Sequence, residues 1–159
     1  MFNKKKDSVA IMGLGYVGHP LALNFGQFIK TIGFDVSKEK IANFKKKKDD
    51  SFIFKKKDFS KAKYLSYHSD PKSIKNSKYK IIALPTPVYK NNKPDLSLLK
   101  NGCFICAKYL KKNDIVIIES TIYPGATQDI LIPILEKNSG MKYNKDFFVA
   151  YCPERINPG

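Results

Sequence analysis

Along this chain the spacing of apolar residues alternates between the period of a strand and the period of a helix. Residues 8–13 hold the run Val9-Ala10-Ile11-Met12, whose unbroken apolarity suits a strand buried on both faces. From 16 to 29, Leu21, Ala22, Phe25 and Phe28 fall at helical spacing, and 31–35 reads as a second strand ending in Asp35. Ser37 then caps a predicted helix to about Lys46, with Glu39 in its first turn. Residues 47–63 form a charged connector around Phe52-Ile53-Phe54, with Phe52 and Phe54 as its anchors to the core. A short strand is predicted over 64–67 and a helix from Asp70-Pro71 to Asn76, proline being favoured in a first turn. The buried run at 80–84 leads into Pro85-Thr86-Pro87, and a turn follows at 91–94. Asp95 caps a helix to about Leu110, 114–119 is a further buried strand, 127–137 a helix, and 147–151 a sixth strand. Strands alternating with helices predict a doubly wound α/β fold on a mostly parallel six-stranded sheet. There is no internal repeat and no low-complexity linker.

The first strand–helix turn reads Gly13-Leu14-Gly15-Tyr16-Val17-Gly18. This G-x-G-x-x-G lies between a predicted strand and a predicted helix, with the acidic Asp35 about 20 residues further on, the pattern of a dinucleotide-binding βαβ unit. In that pattern Gly13 permits the tight turn, Gly15 lets the backbone approach a pyrophosphate, and Gly18 lets helix and strand pack closely. The first N–H groups of the helix, at the positive end of its dipole, suit a phosphate. A carboxylate ending the second strand accepts hydrogen bonds from ribose hydroxyls and repels a 2′-phosphate, so Asp35 favours NAD over NADP. Lys38 and Lys40 weaken that preference, since either can pair with a phosphate. Thr86 follows the fourth strand, where a doubly wound sheet places its ligands, and is expected to contact the cofactor. His19, in the first turn, is read as a surface or packing residue.

The net charge of +15 points first to an anionic partner such as nucleic acid. However, 28 of the 29 basic residues are Lys, and Arg155 is the only Arg. Groove readers use arginine for its planar, bidentate fork, so the Lys runs at 4–6, 45–48 and 55–57 are read as solvated surface. They can still raise the local concentration of an anionic substrate. Cys103, Cys106 and Cys152 are too few for a disulfide scaffold. Cys103-Phe-Ile-Cys106 sits mid-helix without a Pro or Gly between its cysteines and without a second pair for zinc. Both are expected as small buried apolar residues, and no metal is expected. With 43% hydrophobic and 13% aromatic residues, no run near the roughly 18 apolar residues of a membrane span, and a basic N-terminus leading directly into a strand, a cytoplasmic globular domain is expected.

Taken together, GLGYVGHPLA, the strand ending in Asp35, LPTPV, ESTIYPGAT and CPERINPG resemble the UDP-glucose/GDP-mannose dehydrogenase family of nucleotide-sugar 6-dehydrogenases. The PTPV, STIYPGAT and PERINPG versions look most like members acting on UDP-N-acetylhexosamines. The resemblance covers the whole chain but only the family's N-terminal NAD-binding domain, so the chain is expected to be one part of a longer enzyme. It implies oxidation of a sugar C6 alcohol to a carboxylate with two NAD, through an aldehyde trapped on a cysteine and a thioester. It further implies that Gly13, Gly15, Tyr16 and Val17 face the pyrophosphate, that Asp35 and Lys40 lie near the adenosine ribose, and that Thr86 and Thr121 line the cofactor. Thr121 is also implied to hydrogen-bond the reacting water or oxyanion, and Glu154 to assist thioester hydrolysis. The family's nucleophilic Cys and its Lys and Asn belong to later domains, as does most of the dimer contact. The chain alone is therefore expected to bind NAD without completing the oxidation, and the full protein to be a homodimer or larger. Two readings from other classes are a non-catalytic NAD-binding sensor domain and a basic nucleic-acid-binding module. A β-hydroxyacid dehydrogenase shares the GLGxxG opening but is not expected to carry PTPV and PERINPG together.

Overall fold

The computed structural model describes residues 7–49, 54–89 and 93–153. Glu154, Arg155, Phe52, the first lysine run and much of the 91–94 turn lie outside the described residues. Six parallel strands form one sheet: β1 Val9–Met12, β2 Thr31–Phe34, β3 Leu65–His68, β4 Tyr79–Ile82, β5 Ile115–Ile118 and β6 Phe148–Tyr151. Their order across the sheet is β3-β2-β1-β4-β5-β6. The chain thus builds outward from β1 in one direction, then returns to add β4 on its other side. The crevice where the order reverses lies above the carboxyl ends of β1 and β4.

The helices are α1 Gly18–Phe25, α2 Lys38–Lys45, α3 Lys56–Lys61, α4 Ser97–Lys108 and α5 Ile132–Ser139. Because side chains alternate along a strand, β1 feeds two cores. Val9 and Ile11 pack with Leu23, Ile41, Phe44, Phe59 and Tyr67 on the side of α1 to α3. Ala10 and Met12 pack with Leu99, Cys103, Cys106, Leu131 and Leu135 on the side of α4 and α5. The predicted doubly wound, mostly parallel six-stranded sheet is observed, with every strand pairing parallel.

Local differences have identifiable causes. The first helix is shorter than 16–29: it begins at Gly18 and ends at Phe25, and Phe28 lies beyond it, 68% exposed, outside the core. The 70–76 segment is a 3-10 helix, Pro71–Asn76, with Asp70 accepting from the Lys72 N–H at its start. The connector carries a helix that periodicity did not reveal, α3, begun by the Lys55 N–H donating to the Asp58 carboxylate at 2.9 Å. Its anchor among the described residues is buried Phe59, with Phe54 packed against the same core. Before α5 the chain makes one wide π-turn, Thr127–Leu131. Pro133 has no N–H to give the carbonyl four residues back, which accounts for the irregular turn. Ser37 caps α2 as expected, its hydroxyl accepting from the Lys40 N–H at 3.2 Å.

Candidate functional site: a crevice at the carboxyl ends of β1 and β4

The glycine loop leaves β1 through Gly13, whose φ of +93° is open only to glycine at low cost. A Cβ on Gly18 would lie 1.8 Å from the Gly13 carbonyl oxygen, so the loop closes on itself only because Gly18 has no side chain. Gly15 is different in kind: a Cβ there would meet nothing within 4 Å. The backbone is bare at that point, facing open space, which a ligand's phosphates can approach. Val17 stands at the helix N-cap position and offers no side-chain cap, so the first turn of α1 has no hydroxyl or carboxylate of its own competing for its N–H groups. Tyr16 projects outward, 64% exposed.

Asp35 follows β2 and is buried beside this loop. Its Oδ2 accepts the Leu14 N–H at 2.9 Å and the Lys40 ammonium at 2.8 Å, while Oδ1 accepts the Ser37 N–H at 3.0 Å. Burial alone would raise its pKa, but the Lys40 hydrogen bond, then those from Ser37 and Leu14, outweigh it and hold the group below the usual carboxylate range. A carboxylate has about four acceptor directions, so three are used and one on Oδ1 remains. The arrangement can accept one further hydroxyl and leaves little room for a second anion. Next to it, Met12, Val36, Leu84, Leu98 and Ile105 border a narrow apolar slot of about 80 Å³.

On the other side of the loop, a cavity of about 330 Å³ is bordered by Gly15, Val17, Thr86, Glu119, Ser120 and Thr121. The Thr86 hydroxyl donates to the Thr121 carbonyl at 2.6 Å, and Ser120 Oγ donates to the Leu84 carbonyl at 2.7 Å. These two bonds tie the segment after β4 to the segment after β5 and fix the crevice floor. Of the residues singled out from sequence, Gly15, Tyr16, Val17, Thr86 and Thr121 border this cavity, Gly13 and Asp35 border the apolar slot, Lys40 reaches Asp35, and Gly18 is buried against Gly13; Glu154 lies outside the described residues. Sequence reasoning did not single out Ser120, Glu119 or Val36. Each follows a strand directly or ends one, and that position was the signal available.

Cys103 and Cys106 are buried, and burial pushes both thiols up, Cys106 to about 12. They behave as the expected core residues, not as nucleophiles. No group of His, Cys, Asp and Glu able to hold a metal occurs among the described residues. No helix among them is long and apolar enough to cross a membrane.

A bare glycine loop at a helix N-terminus, an anionic group ending β2 and a crevice at the reversal of strand order define a dinucleotide-binding domain of the doubly wound class. Residues 7–159 match the model of the UDP-glucose/GDP-mannose dehydrogenase family, NAD binding domain. The chain belongs to this family, and its coenzyme is NAD. It is 42% identical over 159 residues to UDP-N-acetyl-D-glucosamine 6-dehydrogenase of Salmonella typhi, covering 100% of this chain and 37% of that protein. Among solved structures it is similar to UDP-D-ManNAc dehydrogenase from Pyrococcus horikoshii, with a TM-score of 0.87 and 31% identity over 96% of this chain and 37% of that one. It is also similar to GDP-mannose dehydrogenase from Pseudomonas aeruginosa, solved as a ternary complex, at TM-score 0.86 and 29% identity over 94% of this chain and 36% of that one. The chain thus spans a little over a third of the relatives it matches.

Proposed function

We propose that residues 1–159 form the NAD-binding domain of an enzyme that oxidises the C6 alcohol of a UDP-N-acetylhexosamine to the uronate. Two hydride transfers are required: the alcohol, two NAD+ and one water give the carboxylate, two NADH and three protons. NAD, when bound, supplies the hydride acceptor. The observation that carries the reading is the bare backbone at Gly15, set between the carboxylate of Asp35 and the threonine-lined crevice.

In this reading Gly13, Gly15, Tyr16 and Val17 receive the diphosphate along the backbone, with Gly18 allowing the helix to stand close enough. Asp35, through its remaining acceptor direction, takes one adenosine ribose hydroxyl, and Lys40 holds that carboxylate in place. The apolar slot beside Val36 receives the adenine ring. Thr86 and Thr121 border the nicotinamide half. The Thr121 hydroxyl donates to negative charge developing on the reacting oxygen. Glu154 positions or deprotonates the water that releases the acyl group. Sugar recognition and the cysteine nucleophile come from a part of the enzyme beyond these residues, as does subunit contact in a cytoplasmic homodimer or larger assembly. The substrate class is carried by the similarity to the N-acetylhexosamine enzymes.

Calorimetric titration with NAD and spectrophotometry at the NADH band test this together. The 159-residue chain should bind NAD and give no NADH from UDP-N-acetylglucosamine, and fusion to the remaining domains of a relative should restore about two NADH per sugar. Absence of NAD binding, or turnover by the 159-residue chain alone, overturns the proposal.

A further inference from the structure

His19, read from sequence as a surface or packing residue, is buried where α1, α2 and β3 meet beside the glycine loop. It is the second residue of α1, and its backbone N–H donates to the Gly15 carbonyl at 3.0 Å, closing the glycine loop. Its ring lies flat on Phe44 of α2, with centroids 3.9 Å apart and planes 10° from parallel. Its Nε2 is 3.0 Å from the hydroxyl of Tyr67 in β3. Phe54 meets the ring edge-on at 5.1 Å.

We infer that His19 is a positioning residue for the coenzyme: its ring fastens the glycine loop to α2 and β3, so that loop and ribose-facing carboxylate keep one spacing. The loop is joined to α2 twice. One link is polar, from the Leu14 N–H through Asp35 to Lys40 and Ser37. The other is aromatic, from the Gly15 carbonyl through His19 to Phe44, one turn further along the same helix. A single link would let α2 swing about it; two links at different heights hold it. The hydrogen bond to Tyr67 orients the imidazole, since a stacked ring alone is free to slide within its plane. An aliphatic side chain would fill the same volume, but would leave the buried Tyr67 hydroxyl without this partner. Loosening either link means that the loop and Asp35 must be ordered when ligand binds, and that cost appears as lost affinity.

This inference rests on the proposal that the loop and Asp35 bind NAD, and its test separates the two. Calorimetry with NAD and with ADP-ribose, which carries both the diphosphate and the adenosine ribose, is run on the wild-type chain, His19→Leu, His19→Gln, Tyr67→Phe and the His19→Leu/Tyr67→Phe pair. Circular dichroism establishes which variants are folded. His19→Leu and Tyr67→Phe should each raise the Kd of both ligands about tenfold. The double variant should be no weaker than the worse single one, and His19→Gln, which keeps a polar partner for Tyr67, should recover part of the loss. Unchanged Kd values in folded Tyr67→Phe and His19→Leu overturn the positioning role and leave the NAD reading standing. A wild-type chain without affinity for either ligand overturns both. If His19→Leu does not fold, Tyr67→Phe, which removes one hydroxyl, decides alone.

Discussion

At the scale of single residues, the glycines of the loop separate folding from binding. Gly15 has no positive φ and no neighbour within 4 Å of a Cβ, so Gly15→Ala should leave unfolding stability within about 1 kcal/mol while raising the NAD Kd at least tenfold. Gly18→Ala sets a methyl against the Gly13 carbonyl and should cost about 3 kcal/mol of stability, seen in urea denaturation, before ligand is added. His19 gives a pH signature. Burial lowers its pKa from 6.5 to about 4, with Asp49 raising it and Lys40 lowering it further. The unfolded chain therefore binds a proton over that interval which the folded chain refuses. Stability must fall as pH drops from 6.5 towards 4, by about 3 kcal/mol from this group. Urea midpoints at pH 7 and pH 4.5 should show the loss in the wild type and a smaller one in His19→Gln. Equal losses would mean that His19 is not the group responsible.

At the scale of elements, the register of β4 against β5 is guarded by a buried ion pair. Lys80 is fully buried, its ammonium 2.5 Å from Asp114 Oδ2 and 2.5 Å from the Ser77 carbonyl, and the Lys111 N–H donates to the same carboxylate oxygen. Removing one member of a buried pair strands the other charge. Asp114→Ala should cost about 3–5 kcal/mol in urea denaturation, since Lys80 is left with a single carbonyl. Lys80→Met should cost less, because Asp114 keeps the Lys111 N–H. The reverse ranking would show that the lysine, not the carboxylate, is the better solvated partner. From sequence, this segment was legible as a strand but not as the seat of a charge. An apolar run beginning with Lys looks like a strand entered from solvent, and only the pairing of β4 with β5 brings Asp114 to it.

At the scale of the whole molecule, function depends on a place that belongs to no single element. The crevice exists because β4 returns to the far side of β1, bringing the Thr86 and Thr121 segments, 35 residues apart, against a loop ending at Gly18. The lysines of the 45–48 and 55–57 runs are exposed, as expected.

The sequence by itself determined the alternation of strands and helices, the doubly wound class and the loop that carries the glycines. Each of these follows from local periodicity and from stereochemistry within a few residues. It did not determine α3, the exposure of Phe28, the wide turn before α5, the burial of Lys80 or the place of His19. Those depend on what packs against them: Tyr67 lies 48 residues from His19 in the chain, and Phe59 is on the element just before that of Tyr67. Only folding decides that a histidine one residue past the last glycine ends among their rings.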